Sequence, residues 1–271
     1  VEAGKQRCGV KGYILMKTIQ REAATMSIFH LLHISDLHGV NPFPLAQPQW
    51  VQHTIITGDM ADNGDLSEYE TIALWYNAQP AGSVSILPGN HDVCKGGNIY
   101  DDRCVMRWKK TFGDDFFMGK KMPLTKGLKD EVLSHGGYPI HIVQLNSVAM
   151  TVSPFDFAQG EIGTAQLNAL DVALTMAQDA GAYIILALHH HPFIHGETTM
   201  RLIDSSKLLS IVHGRVNLML FGHQHIADHW VNRWGIPHIL AAPGFKDERW
   251  GWRIDVDLIN RRVQNIQPTF V

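Results

Sequence analysis

Residues 85–92 read Ser-Ile-Leu-Pro-Gly-Asn-His-Asp, an apolar run stopped by Pro88-Gly89 and followed at once by an amide, an imidazole and a carboxylate. Pro-Gly already supplies a bend, so three functional side chains in a row are not needed to make the turn. The stretch decides the fold because its pattern recurs. Apolar runs occupy 28–34, 53–57, 83–87, 140–146, 183–188 and 216–221. They lack polar alternation, which predicts strands covered on both faces. All but the fourth end in polar residues: Asp36 and His38, then Asp59, then Asn90-His91-Asp92, then His189-His190-His191, then His223-Gln224-His225. In open α/β sheets the carboxyl ends of the strands face the ligand crevice, so five strand ends are expected to deliver these groups to one edge.

Between the runs lie helix-like segments. Residues 67–78 open with Ser67 as a cap candidate, and 164–181 place Leu167, Leu170, Leu174 and Ala177 on one face before Gly181. Residues 204–214 also run from polar cap residues to a glycine. The alternation reads as α/β layers, with a β-rich end at 238–244 and 252–258. With no internal repeat or low-complexity linker, residues 26–271 are expected to form a single domain. The start at Val1 and the run beginning at Met26 suggest that 1–25 are a leader or arm outside the fold.

Composition narrows the function. Apolar residues make up 45% and charged residues 18%, an ordinary balance for a globular chain with a large core. The net charge of −3 argues against a general nucleic-acid binder. Cys8, Cys94 and Cys104 fit neither a disulfide framework nor a paired thiolate zinc site, and no apolar run approaches a membrane span. Free thiols and missing signals point to a cytoplasmic protein. The 16 scattered histidines are the abnormal number.

Residues two apart in extended chain point the same way, roughly 6.5–7 Å apart at the backbone. Asp36 and His38 can therefore converge on one ion, and His223 and His225 on one or two neighbouring ions. Carboxylate, imidazole and amide oxygen together suit borderline first-row metals such as Mn, Fe or Zn. Cys94 does not fit this donor pattern. His30 and His33, inside the first run, read as satisfied core residues. His195, His213, His229 and His238 are weaker candidates for substrate contact.

Asp36-Leu37-His38, Gly58-Asp59, Gly89-Asn90-His91-Asp92, His189-His190-His191-Pro192 and Gly222-His223-Gln224-His225 occur in an order and at spacings that resemble the calcineurin-like metallophosphoesterase family, over about 28–245. The resemblance implies a four-layer α/β/β/α sandwich of two mixed sheets flanked by helices, with a dimetal site at the strand C-terminal ends. It implies two metal ions (Mn, Fe or Zn) sharing Asp59. Asp36, His38 and His225 complete one set; Asn90, His189 and His223 complete the other. His189 is selected as the first histidine of the strand-ending run, with His190 in reserve. A bridging hydroxide would attack phosphorus in line. His91, beside a ligand but not itself one, would protonate the departing alkoxide. Asp92 is expected to orient His91 and keep it cationic, a helix cap being its alternative role.

The chain has "GDMADNG" (58–64) and ends its third motif in Asp92, where the protein-phosphatase branch carries an arginine and a glutamate. It is more similar to the branch of class III cyclic-nucleotide and glycerophosphodiester phosphodiesterases. The implied activity is hydrolysis of a small phosphodiester, with a cyclic nucleotide among the candidates. Phosphomonoesterase or nuclease activity on the same core is the alternative, and a non-catalytic protein-binding scaffold a remoter one. The short apolar runs imply no membrane partner, and a homodimer is left open. Residues 114–139 are weakly patterned; they are expected to be a packed surface excursion, with a cap placing Phe116 or Phe117 against a nucleobase as the alternative.

Overall fold

The structure is a computed structural model describing residues 27–42, 47–113, 115–118, 124–125, 128–148 and 158–270. The expected arm at 1–25, with Cys8, lies outside the described residues. The first strands are β1 (Ile28–Ile34), β2 (His53–Ile56) and β3 (Val84–Ile86), with helix α1 (Leu66–Ala78) between β2 and β3. A short hairpin follows, β4 (Cys94–Lys95) with β5 (Ile99–Tyr100), then helix α2 (Asp102–Phe112) and a second small pair, β6 (Phe117–Met118) with β7 (Leu124–Thr125). The chain continues through β8 (Lys129–His135), β9 (Tyr138–Gln144), α3 (Thr164–Asp179), β10 (Tyr183–Ala187), α4 (Ser205–Val212) and β11 (Leu218–Phe221). It ends in β12 (Asp228–Arg233), β13 (Ile236–Ala241), the single turn α5 (Phe245–Glu248), β14 (Trp250–Asp257) and β15 (Arg262–Phe270).

Two mixed sheets result, with orders β15-β14-β1-β2-β3 and β12-β13-β11-β10-β9-β8. Within them β1, β2 and β3 run parallel, and so do β9, β10, β11 and β13. Parallel direction is what collects the strand C-termini on one edge. The second sheet alternates cleanly. Tyr183, Ile185 and Ala187 of β10 join a core shared with Leu31, Ile55 and Ile254 of the first sheet. Ile184 and Leu186 face the opposite way, into a core with Leu170 and Leu174 of α3 and Leu208 of α4. Adjacent strands thus read as unbroken apolar runs because both faces are covered.

The two sheets are also stitched together at the site edge. The N–H of Phe245 donates to the Ser35 carbonyl at 3.0 Å and that of Lys246 to the Asp36 carbonyl at 3.1 Å. The turn after β13 is thereby tied to the end of β1.

Three local expectations change. The cap of α1 is Asp65 rather than Ser67, because Glu68 accepts from the Asp65 N–H at 2.9 Å and fixes the first turn one residue earlier. Helix α2 was legible but not read: Asp101 caps it, Val105 and Trp108 face inward, and Lys109 and Lys110 lie in its last turn. Phe116 is 3% exposed and packs in the shared core, which withdraws it from any nucleobase contact; the side chain of Phe117 lies outside the described residues.

Candidate metal centre

The site begins as a backbone feature. Asp36, His38, Asp59, His223 and His225 all have φ between 46° and 80°, the left-handed region that non-glycine residues avoid. Each such residue costs on the order of 1–3 kcal/mol and persists only where its surroundings dictate it. Strand-end hydrogen bonds supply that constraint. The N–H of Asp36 donates to Gly58 at 3.0 Å, and that of His38 to the Asp59 carbonyl at 2.9 Å. The backbone conformation at these five positions sets the angles at which their side chains leave the strands.

One group of donors surrounds His189, which is fully buried. Its Nδ1 donates to the Thr57 carbonyl at 2.7 Å, an acceptor only, so this nitrogen carries the hydrogen. The other nitrogen, Nε2, then faces Asn90 Oδ1 at 3.0 Å, His223 Nδ1 at 3.2 Å and Asp59 Oδ2 at 3.3 Å. Lone pairs on nitrogen and oxygen cannot converge this closely in a dry pocket without a cation or proton among them. Burial alone would lower the pKa of His189, but the carboxylates of Asp59 and Asp36 outweigh it and raise it to about 9. The donor set fits a metal ion.

The second group joins Asp36, His38 and His225. His225 Nε2 lies 3.5 Å from Asp36 Oδ1 and 3.2 Å from His38 Nε2. Asp59 stands between the groups: Oδ1 accepts the His91 N–H at 2.9 Å, leaving Oδ2 3.3 Å from His189 and 4.0 Å from His38. Burial resists its ionisation, yet His189, His91 and His38 hold its pKa well below the carboxylate range. Asp36 accepts the His223 N–H through both oxygens, at 3.2 and 3.0 Å, which couples the two groups through the protein. The seven residues expected to bind metal are thus brought together. Three overlapping sets have ligand atoms within 4.8 Å of one another: Asp36 with His38 and His225, Asp59 with His189 and His223, and His38 with Asp59 and His91.

His91 lies beside His38 and Asp59, but its side chain meets a different partner from the one expected. His91 Nδ1 donates to the Asp62 carbonyl at 2.6 Å, and the Asp62 carboxylate lies 3.7 Å away. The same carboxylate is 3.0 Å from His38 Nδ1. Asp92 corrects the expectation. Its fully buried carboxylate accepts the N–H groups of Gly89 at 2.9 Å, Met60 at 3.1 Å and Ala61 at 3.1 Å, while the Tyr69 hydroxyl donates to its carbonyl at 2.9 Å. Burial and the nearby Asp59 carboxylate still push its pKa up to about 7, and these hydrogen bonds make it a clamp between the loops after β2 and β3 rather than an orienter of the His91 ring. Asp62 was passed over in the motif reading of 58–64. Its signal was an acid three residues after Asp59.

The remaining histidines separate from the site. Both nitrogens of His190 are engaged, Nδ1 with the Ser147 hydroxyl at 2.9 Å and Nε2 with the Ala158 carbonyl at 3.2 Å. The neighbouring ring of His189 is the one in the cluster. His191 is buried against Phe221, and His195 lies against Trp230. His229 and His238 stack on each other at 5.3 Å, and His213 is the C-cap of α4. His33 meets Thr57 Oγ1 at 3.0 Å inside the core, whereas His30 is only half-buried and pairs with Asp255 at 2.7 Å.

Above the clusters opens a cleft of about 470 Å³, bordered also by Asp62, Glu197, Met200, Ile226, Lys246 and Asp247. Two sheets thus deliver seven oxygen and nitrogen donors beneath an open cleft, an arrangement able to hold metal ions. Residues 29–227 match the sequence model of the calcineurin-like phosphoesterases, and the chain belongs to that family. Metal-dependent hydrolysis of phosphoesters is the family's chemistry, and the donor set suits it. The fold resembles a dimetal phosphatase from Danio rerio at 12% identity and a TM-score of 0.59, over 84% of this chain and 95% of that one. It also resembles a putative 5'-nucleotidase from Staphylococcus aureus at 14% identity and a TM-score of 0.57, over 90% of this chain and 54% of that one. No curated protein matches the sequence significantly. Among the described residues no helix is long and apolar enough to cross a membrane.

Proposed function

We propose that this protein is a dinuclear-metal phosphodiesterase. The observation carrying the choice of diester is the charge of the cleft: beyond the candidate ligands it presents three acids, Asp62, Glu197 and Asp247, against one cation, Lys246. A monoester dianion would approach this wall against repulsion, whereas a diester carries a single negative charge. Asp36, His38, Asp59 and His225 would hold one metal, and Asp59, Asn90, His189 and His223 the other. When bound, such a pair activates a water near neutral pH and neutralises charge on the phosphoryl oxygens. The chain's own residues keep the donors aimed: Thr57 fixes the His189 tautomer, and the Asp62 carboxylate stands 3.0 Å from Nδ1 of His38. His91 stands ready at the cleft wall to hand a proton to the departing alcohol.

A single domain over 26–271, a small diester as substrate, with a cyclic nucleotide among the candidates, and a cytoplasmic location belong to the same proposal. The test is hydrolysis of bis(p-nitrophenyl) phosphate beside p-nitrophenyl phosphate, with Mn²⁺ and with chelator. Diester preference abolished by chelation supports the reading. Equal or faster monoester cleavage moves the protein to the phosphatase side and leaves only the metal centre standing.

A further inference from the structure

A second compartment of about 300 Å³ opens beside the metal cleft and shares the wall of Asn90, His91, Glu197 and Met200 with it. Its floor is Gly97, where a Cβ would lie 2.5 Å from His91 Nε2 and 2.8 Å from Asn90 Nδ2. The Gly97 carbonyl accepts from Asn90 Nδ2 at 3.0 Å, which turns the amide oxygen toward His189. Any larger residue there would press on both site residues. An ester arm of a substrate whose phosphate sits over the clusters can extend into the compartment directly.

The far wall is clamped to the metal site. Gln224, between His223 and His225, accepts the Glu197 N–H at 2.8 Å and donates to the carbonyls of Glu197 at 3.1 Å and Met200 at 3.4 Å. Three hydrogen bonds from one side chain fix where Glu197 stands relative to the candidate ligands. Its carboxylate is left over: it is exposed, and among the described residues no ion pair is made with it. Asn98 and Thr199 add neutral polar groups, and the described lining contains no lysine or arginine and no aromatic ring other than His91.

Resting on the phosphodiesterase reading, we infer that this compartment is a specificity subsite for one ester arm, and that Glu197 selects short alcohols bearing hydrogen-bond donors, ammonium or hydroxyl. The described lining offers a nucleobase no ring for stacking and offers an anionic arm no cation. A carboxylate accepts from donors and repels anions, so selection comes from attraction and exclusion together.

The test uses the full chain with Mn²⁺ and four methyl diesters whose second arm is 2-aminoethyl, 2-hydroxyethyl, n-propyl or 2-carboxyethyl, with products read by ³¹P NMR. Bis(p-nitrophenyl) phosphate is assayed in parallel. At an exposed site the aminoethyl arm is expected to exceed propyl in kcat/KM by about fivefold, with carboxyethyl last. Glu197→Gln should bring the aminoethyl-to-propyl ratio to about one, and Glu197→Lys should place carboxyethyl above aminoethyl. If the bis-aryl diester is hydrolysed but the four arms rank identically in wild type and Glu197→Lys, the subsite assignment is overturned alone. If no diester is cleaved, the phosphodiesterase reading falls and this inference with it.

Discussion

Replacing Gly89 by alanine drives a methyl group directly against Asp59. The φ of Gly89 lies outside the left-handed region, so alanine can adopt its backbone and the effect is purely steric. A Cβ there would stand 2.5 Å from the Asp59 backbone nitrogen and 2.7 Å from its Cγ. Ordinary contact begins at 3.4 Å, so Asp59 must retreat by about 0.9 Å, the difference of 3.4 and 2.5. The obstacle includes backbone, which no rotamer change relieves. Such overpacking typically costs about 1–3 kcal/mol in stability. A misplacement of about 1 Å in a catalytic group costs on the order of 10²-fold in rate. Because Asp59 stands between both clusters, metal content should fall as well as turnover. The assay measures metal per chain by plasma emission spectroscopy and kcat/KM on bis(p-nitrophenyl) phosphate. Gly82→Ala is the control: its Cβ meets nothing within 4 Å, but its φ of +73° strains the backbone. It should lower the melting temperature without lowering turnover. A Gly89→Ala protein holding two metals and turning over within about threefold of wild type would refute the reasoning.

Two further predictions concern buried titratable groups. Asp92→Asn leaves one acceptor oxygen where a carboxylate accepts three backbone N–H groups, so the variant should lose about 1–3 kcal/mol of stability while its pH–rate profile keeps its shape; a lost limb of that profile would instead make Asp92 a partner of His91. His53, buried with Nε2 at 2.7 Å from Ser85 Oγ, has its pKa lowered by burial from 6.5 to about 4. Its neutral form is favoured on folding, so stability is fully present above pH 6.5 and falls as pH drops from there toward 4, by about 3 kcal/mol for this group. Urea midpoints of wild type and His53→Gln should converge over that window, and a constant gap between them would refute it.

Much of the layout was legible in the chain because strands covered on both faces must be apolar throughout, which makes every polar residue at a strand end conspicuous. Asp36, His38, Asp59, Asn90, His223 and His225 could be picked out on that ground alone. Glycines and prolines marked the turns, and the absence of paired cysteines left imidazole and carboxylate as the donors. Helix α2 could have been read in the same way, from Asp101 and the spacing of Val105 and Trp108. What local pattern could not decide was which of several adjacent polar residues faces the site. Consecutive side chains at a strand end diverge, and their direction is set by partners distant in sequence. His189 rather than His190 enters the cluster because Thr57, Asn90 and Asp59 receive the first, while Ser147 and Ala158 occupy both nitrogens of the second. Asp92 became a clamp and Asp62 the neighbour of His38 and His91 for the same reason. The sequence by itself determined which kinds of atom gather at one edge of the sheets. Only the tertiary structure decided where each atom points, because the hydrogen-bond partners that fix a buried polar side chain come from other loops, in the opposite sheet for His189 and beside neighbouring strands of the same sheet for His91, Asp92 and His190.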